Sequence, residues 1–205
     1  MIAKVLGIST SPRSKGNSDL LLREALAGAE SAGARVEYVH LPDYRIGPCI
    51  ECNACYKTGE CAVRDDYQEL MEKILDADGL IFATPIFFMS VCAQAKSLID
   101  RGQCLWARRY ILKKEIVPSG RDRRAMVIAV GGSKSKKQFD CVRLTMASYF
   151  DSLQISYVSS LFVSKVDSLG DIGKHPSALR EAHRLGSELA ATETAPPKPV
   201  NVELF

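Results

Sequence analysis

Five short apolar runs, each followed by a stretch of helical period, leave this chain few ways to fold. The runs are Ile2 to Ile8, Arg35 to Leu41, Gly79 to Ala83, Ala125 to Val130 and Ile155 to Val163. Short apolar runs rich in β-branched residues read as strands buried on both faces. Between them, Asp19 to Ala32 carries Leu20, Leu21, Ala25 and Leu26 at helical spacing, and Gly33 supplies a stop signal. Tyr67 to Leu75 repeats Leu70, Met71, Ile74 and Leu75, and helices are also expected over Val91 to Ile99, Gln138 to Phe150 and Ala178 to Ala190. Such alternation predicts right-handed βαβ crossovers, hence an α/β fold with a doubly wound five-stranded parallel sheet and helices on both faces. One domain over 1–191 is expected, with a Cys-rich loop at 47–65. An extended tail over 192–205 follows, because Ala195-Pro196-Pro197-Lys198-Pro199 cannot be helical.

Composition narrows the function classes. The 205 residues carry 27 basic and 24 acidic side chains, a net +3 that offers no nucleic-acid footprint by itself. Seven cysteines fall well short of a disulfide scaffold, and an odd number cannot pair completely within one chain. Met1 to Gly7 enters a strand directly, without the basic and apolar regions of a secretory signal. Gly79 to Ala95 lacks formal charge, but Pro85 and the polar Thr84, Ser90 and Gln94 make it a strand, a loop and a helix start rather than a membrane span. A cytoplasmic protein with reduced or metal-bound thiols is the expectation.

Ligands of doubly wound sheets bind beyond the carboxyl ends of the strands. After the first strand comes Ser9-Thr10-Ser11-Pro12-Arg13-Ser14-Lys15-Gly16-Asn17-Ser18, dense in hydroxyls and ending where a helix begins. Free backbone N–H groups and the positive end of that helix suit phosphate, with Arg13 adding a forked cation. The plainer alternative is a solvated loop in which Asn17 or Ser18 only caps the helix. Neither a Walker A loop nor a G-x-G-x-x-G fingerprint is present. After the third strand, Thr84-Pro85-Ile86-Phe87-Phe88-Met89 offers a wall for a flat aromatic ligand, core filling being the alternative for any one Phe. Gly131-Gly132-Ser133, after the fourth strand, lets a ligand approach the backbone closely.

These three loops together resemble the flavodoxin-like NADPH-dependent FMN reductase family, Ile8 to Arg13 and Gly16-Asn17-Ser18 matching its phosphate-loop motif. The resemblance extends to about residue 190 and implies an FMN site: Ser9, Ser11, Pro12, Arg13, Asn17 and Ser18 about the phosphate, Thr84, Pro85, Ile86, Phe87 and Phe88 along the ribityl chain and ring, Gly131 and Gly132 flanking the ring. Phe87 departs from the Tyr often found in the family, so a hydroxyl contact is missing there.

A second signal is Cys49-x2-Cys52-x2-Cys55-x5-Cys61. Stacked C-x2-C spacings in one short loop recur in [4Fe-4S] sites, whereas four-thiolate zinc sites usually draw two pairs from separate hairpins. Zinc remains the main alternative, with unliganded thiols another. The segment Cys49 to Cys61 with Asp65-Asp66, and Arg101 to Tyr110 with Trp106-Ala107-Arg108-Arg109, is similar to the iron-sulfur flavoprotein branch of the family. That similarity implies a cytoplasmic flavin-dependent oxidoreductase forming a homodimer or homotetramer, with neither nucleic acid nor membrane as partner. Its cluster would relay electrons between a ferredoxin-like donor and FMN, which would reduce a small acceptor. Two other readings stay open: an NAD(P)H-dependent FMN or quinone reductase whose Cys loop binds Zn or no metal, and a non-enzymatic FMN-binding module. Cys92 and Cys141 read as core hydrophobes, and Cys104 and the three histidines are given no chemical role. The seven basic residues between Arg108 and Arg124 form either a solvated face or a steering surface for an acidic partner or nucleotide phosphates.

Overall fold

The chain interleaves strands and helices as its periodicity requires, and a computed structural model describes residues 2–191 and 199–204. Strand β1 (Lys4–Ser9) leads into helix α1 (Asn17–Ser31), then β2 (Arg35–His40), the one-turn α2 (Cys55–Thr58) and α3 (Tyr67–Asp76). A long β3 (Gly79–Phe87) turns back into the two-residue β4 (Ser90–Val91), followed by α4 (Ala93–Arg101), the short α5 (Gln103–Trp106) and a π-helical turn over Ala107–Ile111. The second half supplies β5 (Arg124–Val130), α6 (Asp140–Ser152), β6 (Ser156–Val163), α7 (Pro176–Ala191) and β7 (Val200–Leu204).

The sheet runs in the order β2-β1-β3-β5-β6-β7, with every neighbouring pair parallel; β4 pairs antiparallel with β3 off this path. Side chains alternate between its faces, as the pleat demands, apart from a register shift where β6 pairs with Ala125 and Met126 of β5. Leu80 and Phe82 of β3 and Ala125 and Val127 of β5 join Leu70, Leu98 and Met146 of α3, α4 and α6, while Ile81, Met126 and Ile128 face α1 and α7 on the other side. Both faces are thus covered, and the near-continuous apolar strands follow from that. Helices α1 and α7 cross in close contact at two glycines. A Cβ on Gly28 would lie 2.0 Å from the His183 carbonyl oxygen, and one on Gly186 1.9 Å from that of Ala25.

Three expectations change. The five-stranded sheet becomes six parallel strands plus the β4 ribbon, because Val200–Leu204 hydrogen-bonds along the open edge of β6. Residues 192–198, which include most of the proline run, lie outside the described residues. The third strand does not stop at Ala83. It continues through Pro85, whose missing N–H costs little because pairing with β1 has already ended at Ser9 and Ala83. Cys141, expected in the core, is exposed, whereas Cys92 and Cys104 are buried. Among the described residues no helix is long and apolar enough to cross a membrane.

Candidate functional site

The carboxyl ends of β1, β3, β5 and β6 open onto a cavity of about 110 Å³. Ser11, Pro12, Arg13, Asn17 and Ser18 line it from the first loop, Pro85, Ile86 and Phe87 from the third, and Gly131 and Gly132 from the fourth. Three of the expected residues stand apart. Ser9 and Thr84 are completely buried beneath the rim, Thr84 donating to the Pro85 carbonyl at 3.0 Å, and Phe88 projects fully into solvent at the hairpin tip. Phe88 and Met89 both sit in left-handed backbone, φ 49° and 62°, where a bulky side chain is strained.

The loop after β1 is held by residues the motif names and by three it does not, Asp19, Tyr38 and His40. Gly16 stands at the N-cap of α1, so no side chain caps the helix and its first-turn N–H groups face outward. Ser11 Oγ accepts from the Arg13 backbone N–H at 3.1 Å, and a Cβ on Gly16 would press on both residues. The Arg13 guanidinium is exposed and carries no hydrogen bond among the described residues. Asp19, fully buried in the first turn, accepts the Lys15 backbone N–H at 3.1 Å, the Tyr38 hydroxyl at 2.6 Å and Arg23 Nε at 3.1 Å. Burial opposes its ionisation, but the Tyr38 and Arg23 bonds outweigh that and hold the carboxyl below its ordinary range. His40 Nε2 pairs with the Ser11 carbonyl at 3.0 Å, bracing the loop from β2. Asn17 spends its side chain on the protein: Nδ2 donates to the Ser168 carbonyl at 2.9 Å and Oδ1 accepts the Ile172 N–H at 3.2 Å. It therefore pins the loop after β6, whose Val166, Asp167 and Leu169 also line the cavity. An uncapped helix N-terminus, a free cation and an apolar wall fit a ligand with an anionic end and a flat body.

A separate cavity of about 350 Å³ is lined by all four cysteines of the compact motif, and by Cys104. Glu51 and Asn53, flanking Cys52, both adopt left-handed backbone, φ 53° and 58°, which folds the loop tightly enough to turn its thiols one way. Gly59, φ 77°, ends α2 in the same conformation against the Arg108 side chain. Arg101 ties the loop ends together, its guanidinium bonded to the Gly47 and Val63 carbonyls and to both oxygens of Asp65. Burial works against the Asp65 charge, and the Arg101 pairing with the backbone donors of Gly47 and Tyr67 still pulls its carboxyl below the usual range. Cys104 contacts the Tyr67 hydroxyl at 3.3 Å, and burial pushes the thiols of both Cys55 and Cys104 up.

The donor set fits a thiolate-bound group, with a cation at hand to offset sulfur charge. Among the described residues, no three His, Cys, Asp or Glu side chains converge closely enough to hold a single metal ion.

The profile of the NADPH-dependent FMN reductase family matches residues 3–164. An iron-sulfur flavoprotein of Methanocaldococcus jannaschii is 36% identical over 148 residues, which cover 72% of this chain and 70% of that one. The chain belongs to the iron-sulfur flavoprotein branch of the NADPH-dependent FMN reductase family. A second iron-sulfur flavoprotein of the same organism is 45% identical over 102 residues, half of this chain and 53% of that relative, so the chain spans about half the length of the relative it matches there. Among solved structures, a flavone reductase superposes with a TM-score of 0.70 at 23% identity, over 97% of this chain and 66% of the other, a likeness of fold.

The basic segment resolves into structural pairs. Arg121 binds Asp78, Arg124 binds Asp122 and Arg109 binds Asp151. Arg123 is buried and donates to the carbonyls of Ala77, Leu153 and Ile74 at 3.0, 2.6 and 2.6 Å, and desolvation lowers its pKa to about 10. Four of the seven cations are thereby engaged with the protein. Trp106 packs between Tyr56 and Tyr110, ring centroids 6.4 and 5.8 Å away, as a half-exposed aromatic strip beside the cysteine loop.

Proposed function

We propose that this chain is a flavin-dependent electron-transfer oxidoreductase holding FMN in the cavity at the strand ends and a [4Fe-4S] cluster on Cys49, Cys52, Cys55 and Cys61. The observation that carries this reading is the gathering of all four motif thiols around one cavity, in a chain that also carries an uncapped, anion-ready helix terminus. FMN holds one or two electrons and the cluster one at a time, which suits a relay between a ferredoxin-like one-electron donor and a small two-electron acceptor such as oxygen, peroxide or a quinone.

The chain's own residues bind, orient and shield. Arg13 and the first-turn N–H groups of α1 hold the phosphate, and Ser11 and Gly16 keep the loop in shape for it. Pro85, Ile86 and Phe87 supply the apolar wall that excludes water from one side of the ring, while Gly131 and Gly132 admit it close to backbone. Asn17 serves by fixing the neighbouring loop, Ser9 and Thr84 by supporting the rim from below. No side chain acts as a nucleophile, because the redox chemistry belongs to the flavin. The aromatic strip of Tyr56, Trp106 and Tyr110 suits a contact between copies in a homodimer or homotetramer, and the protein works in the cytoplasm.

A second reading, an NAD(P)H-dependent FMN or quinone reductase whose cysteine loop holds zinc or no metal, is favoured by the family's description. Cys52→Ala decides between them: the first reading expects cluster iron to be lost with FMN retained, and unchanged iron would refute the ligand assignment. Anaerobic hydride transfer from NAD(P)H to FMN in that same variant, at the wild-type rate, would favour the second.

A further inference from the structure

Arg101 is among the largest fully buried side chains of this fold at 1% exposure, and every nitrogen of its guanidinium is engaged. Nη1 donates to the Gly47 carbonyl at 3.1 Å and Asp65 Oδ2 at 2.8 Å, Nη2 to the Val63 carbonyl at 2.8 Å and Asp65 Oδ1 at 3.2 Å. The plane also lies over the Tyr67 ring, 4.4 Å from guanidinium carbon to centroid. These contacts fix the fork in position and orientation. Its remaining donor, Nε, is thereby aimed at Cys61 Sγ, 3.0 Å away. A loop clamp needs only the two carbonyls and the carboxylate; the bond to sulfur is an addition that a purely structural role does not require.

We propose that Arg101 is a positioning residue whose Nε–H, held on Cys61 Sγ, raises the reduction potential of the cluster. The inference rests on the [4Fe-4S] reading above. In the step concerned, one electron from a low-potential one-electron donor is added to the cluster; no bond forms or breaks and no proton is taken up. The added negative charge spreads onto the ligand sulfurs, so an N–H donor on one of them stabilises the reduced form more than the oxidised form. The Asp65 carboxylate cancels most of the guanidinium's charge at longer range. The effect is therefore local to the N–H bond, and lysine, which keeps the charge but lacks the fixed fork, does not reproduce it.

The experiment uses anaerobically prepared protein with iron and sulfide counted first, then a potentiometric titration of wild type, Arg101→Lys and Arg101→Met. Both variants are expected to shift the cluster's reduction equilibrium about tenfold toward the oxidised form, a drop of about 59 mV for one electron. Full iron content with an unchanged potential in Arg101→Lys overturns the proposal. Because either variant can lose the loop, the wild-type protein supplies a second measurement. With arginine labelled by ¹⁵N at Nε, pulsed EPR of the reduced cluster is expected to show one coupled nitrogen, and its absence overturns the proposal in the unperturbed fold. Absence of iron and sulfide from wild type would instead overturn the [4Fe-4S] reading and this inference with it.

Discussion

Asp19→Ala removes a fully buried carboxylate on which the first turn of α1 is organised. The Tyr38 hydroxyl bond at 2.6 Å is a bond to a charged acceptor, a class that contributes about 1.5–3 kcal/mol. The Arg23 side chain is 50% exposed, so solvent limits that pair to no more than about 1 kcal/mol. The favourable site near a helix N-terminus adds about 0.3–1 kcal/mol. These terms share one carboxylate and overlap, which gives an expected loss of roughly 2–4 kcal/mol. Because the folded-state pKa is depressed, this stabilisation is fully present above the unfolded value of about 3.9 and is lost as pH falls through the lower folded value. Equilibrium urea unfolding of wild type and variant from pH 7 down to 3 should show a wide gap in midpoint that narrows below about pH 4. A loss under about 0.5 kcal/mol at pH 7, or a gap independent of pH, would refute the reasoning.

Two other substitutions test different parts of the molecule. Gly186→Ala places a Cβ 1.9 Å from the Ala25 carbonyl oxygen, which is backbone and cannot rotate away; α7 must shift off α1. A loss of about 1–3 kcal/mol is expected by thermal or urea unfolding, outweighing a helix-propensity gain of about 1 kcal/mol, and a more stable variant would contradict the close crossing. Arg13→Ala removes the free cation of the phosphate loop and should raise the FMN dissociation constant about 10- to 100-fold by fluorescence titration, with a weaker salt dependence than wild type.

The parts of the fold legible in the sequence are those where periodicity carries the energetics. Buried strands such as Ala125 to Val130 leave long apolar runs because water reaches neither face, and α3 shows its apolar stripe for the matching reason. β7 escaped because Val-Asn-Val-Glu-Leu follows a proline run and pairs only at an edge, where few side chains need be apolar. The β3 hairpin escaped because Phe88 and Met89 are poor residues for a left-handed turn. At the site, most of the loop residues that line the cavity at the strand ends are nameable from motif and position. Asn17 and Thr84 have hydrogen-bond partners within the protein that the motif did not show, because a hydrogen-bonding side chain does not announce which carbonyl it will meet. Asp19 and Arg101 carried no local signal of burial. Each is a charged residue in a helix with decisive partners elsewhere in the chain, Tyr38 for one and Gly47 with Asp65 for the other. The basic segment illustrates the converse: of seven cations close in sequence, four are drawn to the separate carboxylates and carbonyls they meet.

On the proposed function, the cysteine loop holds an iron-sulfur cluster in a chain that also binds FMN. Metal, sulfide and flavin analysis of anaerobically purified protein, with its absorbance spectrum, tests it most directly. About four irons and about four labile sulfides per chain, together with flavin absorbance, are expected. Stoichiometric zinc without sulfide would contradict it.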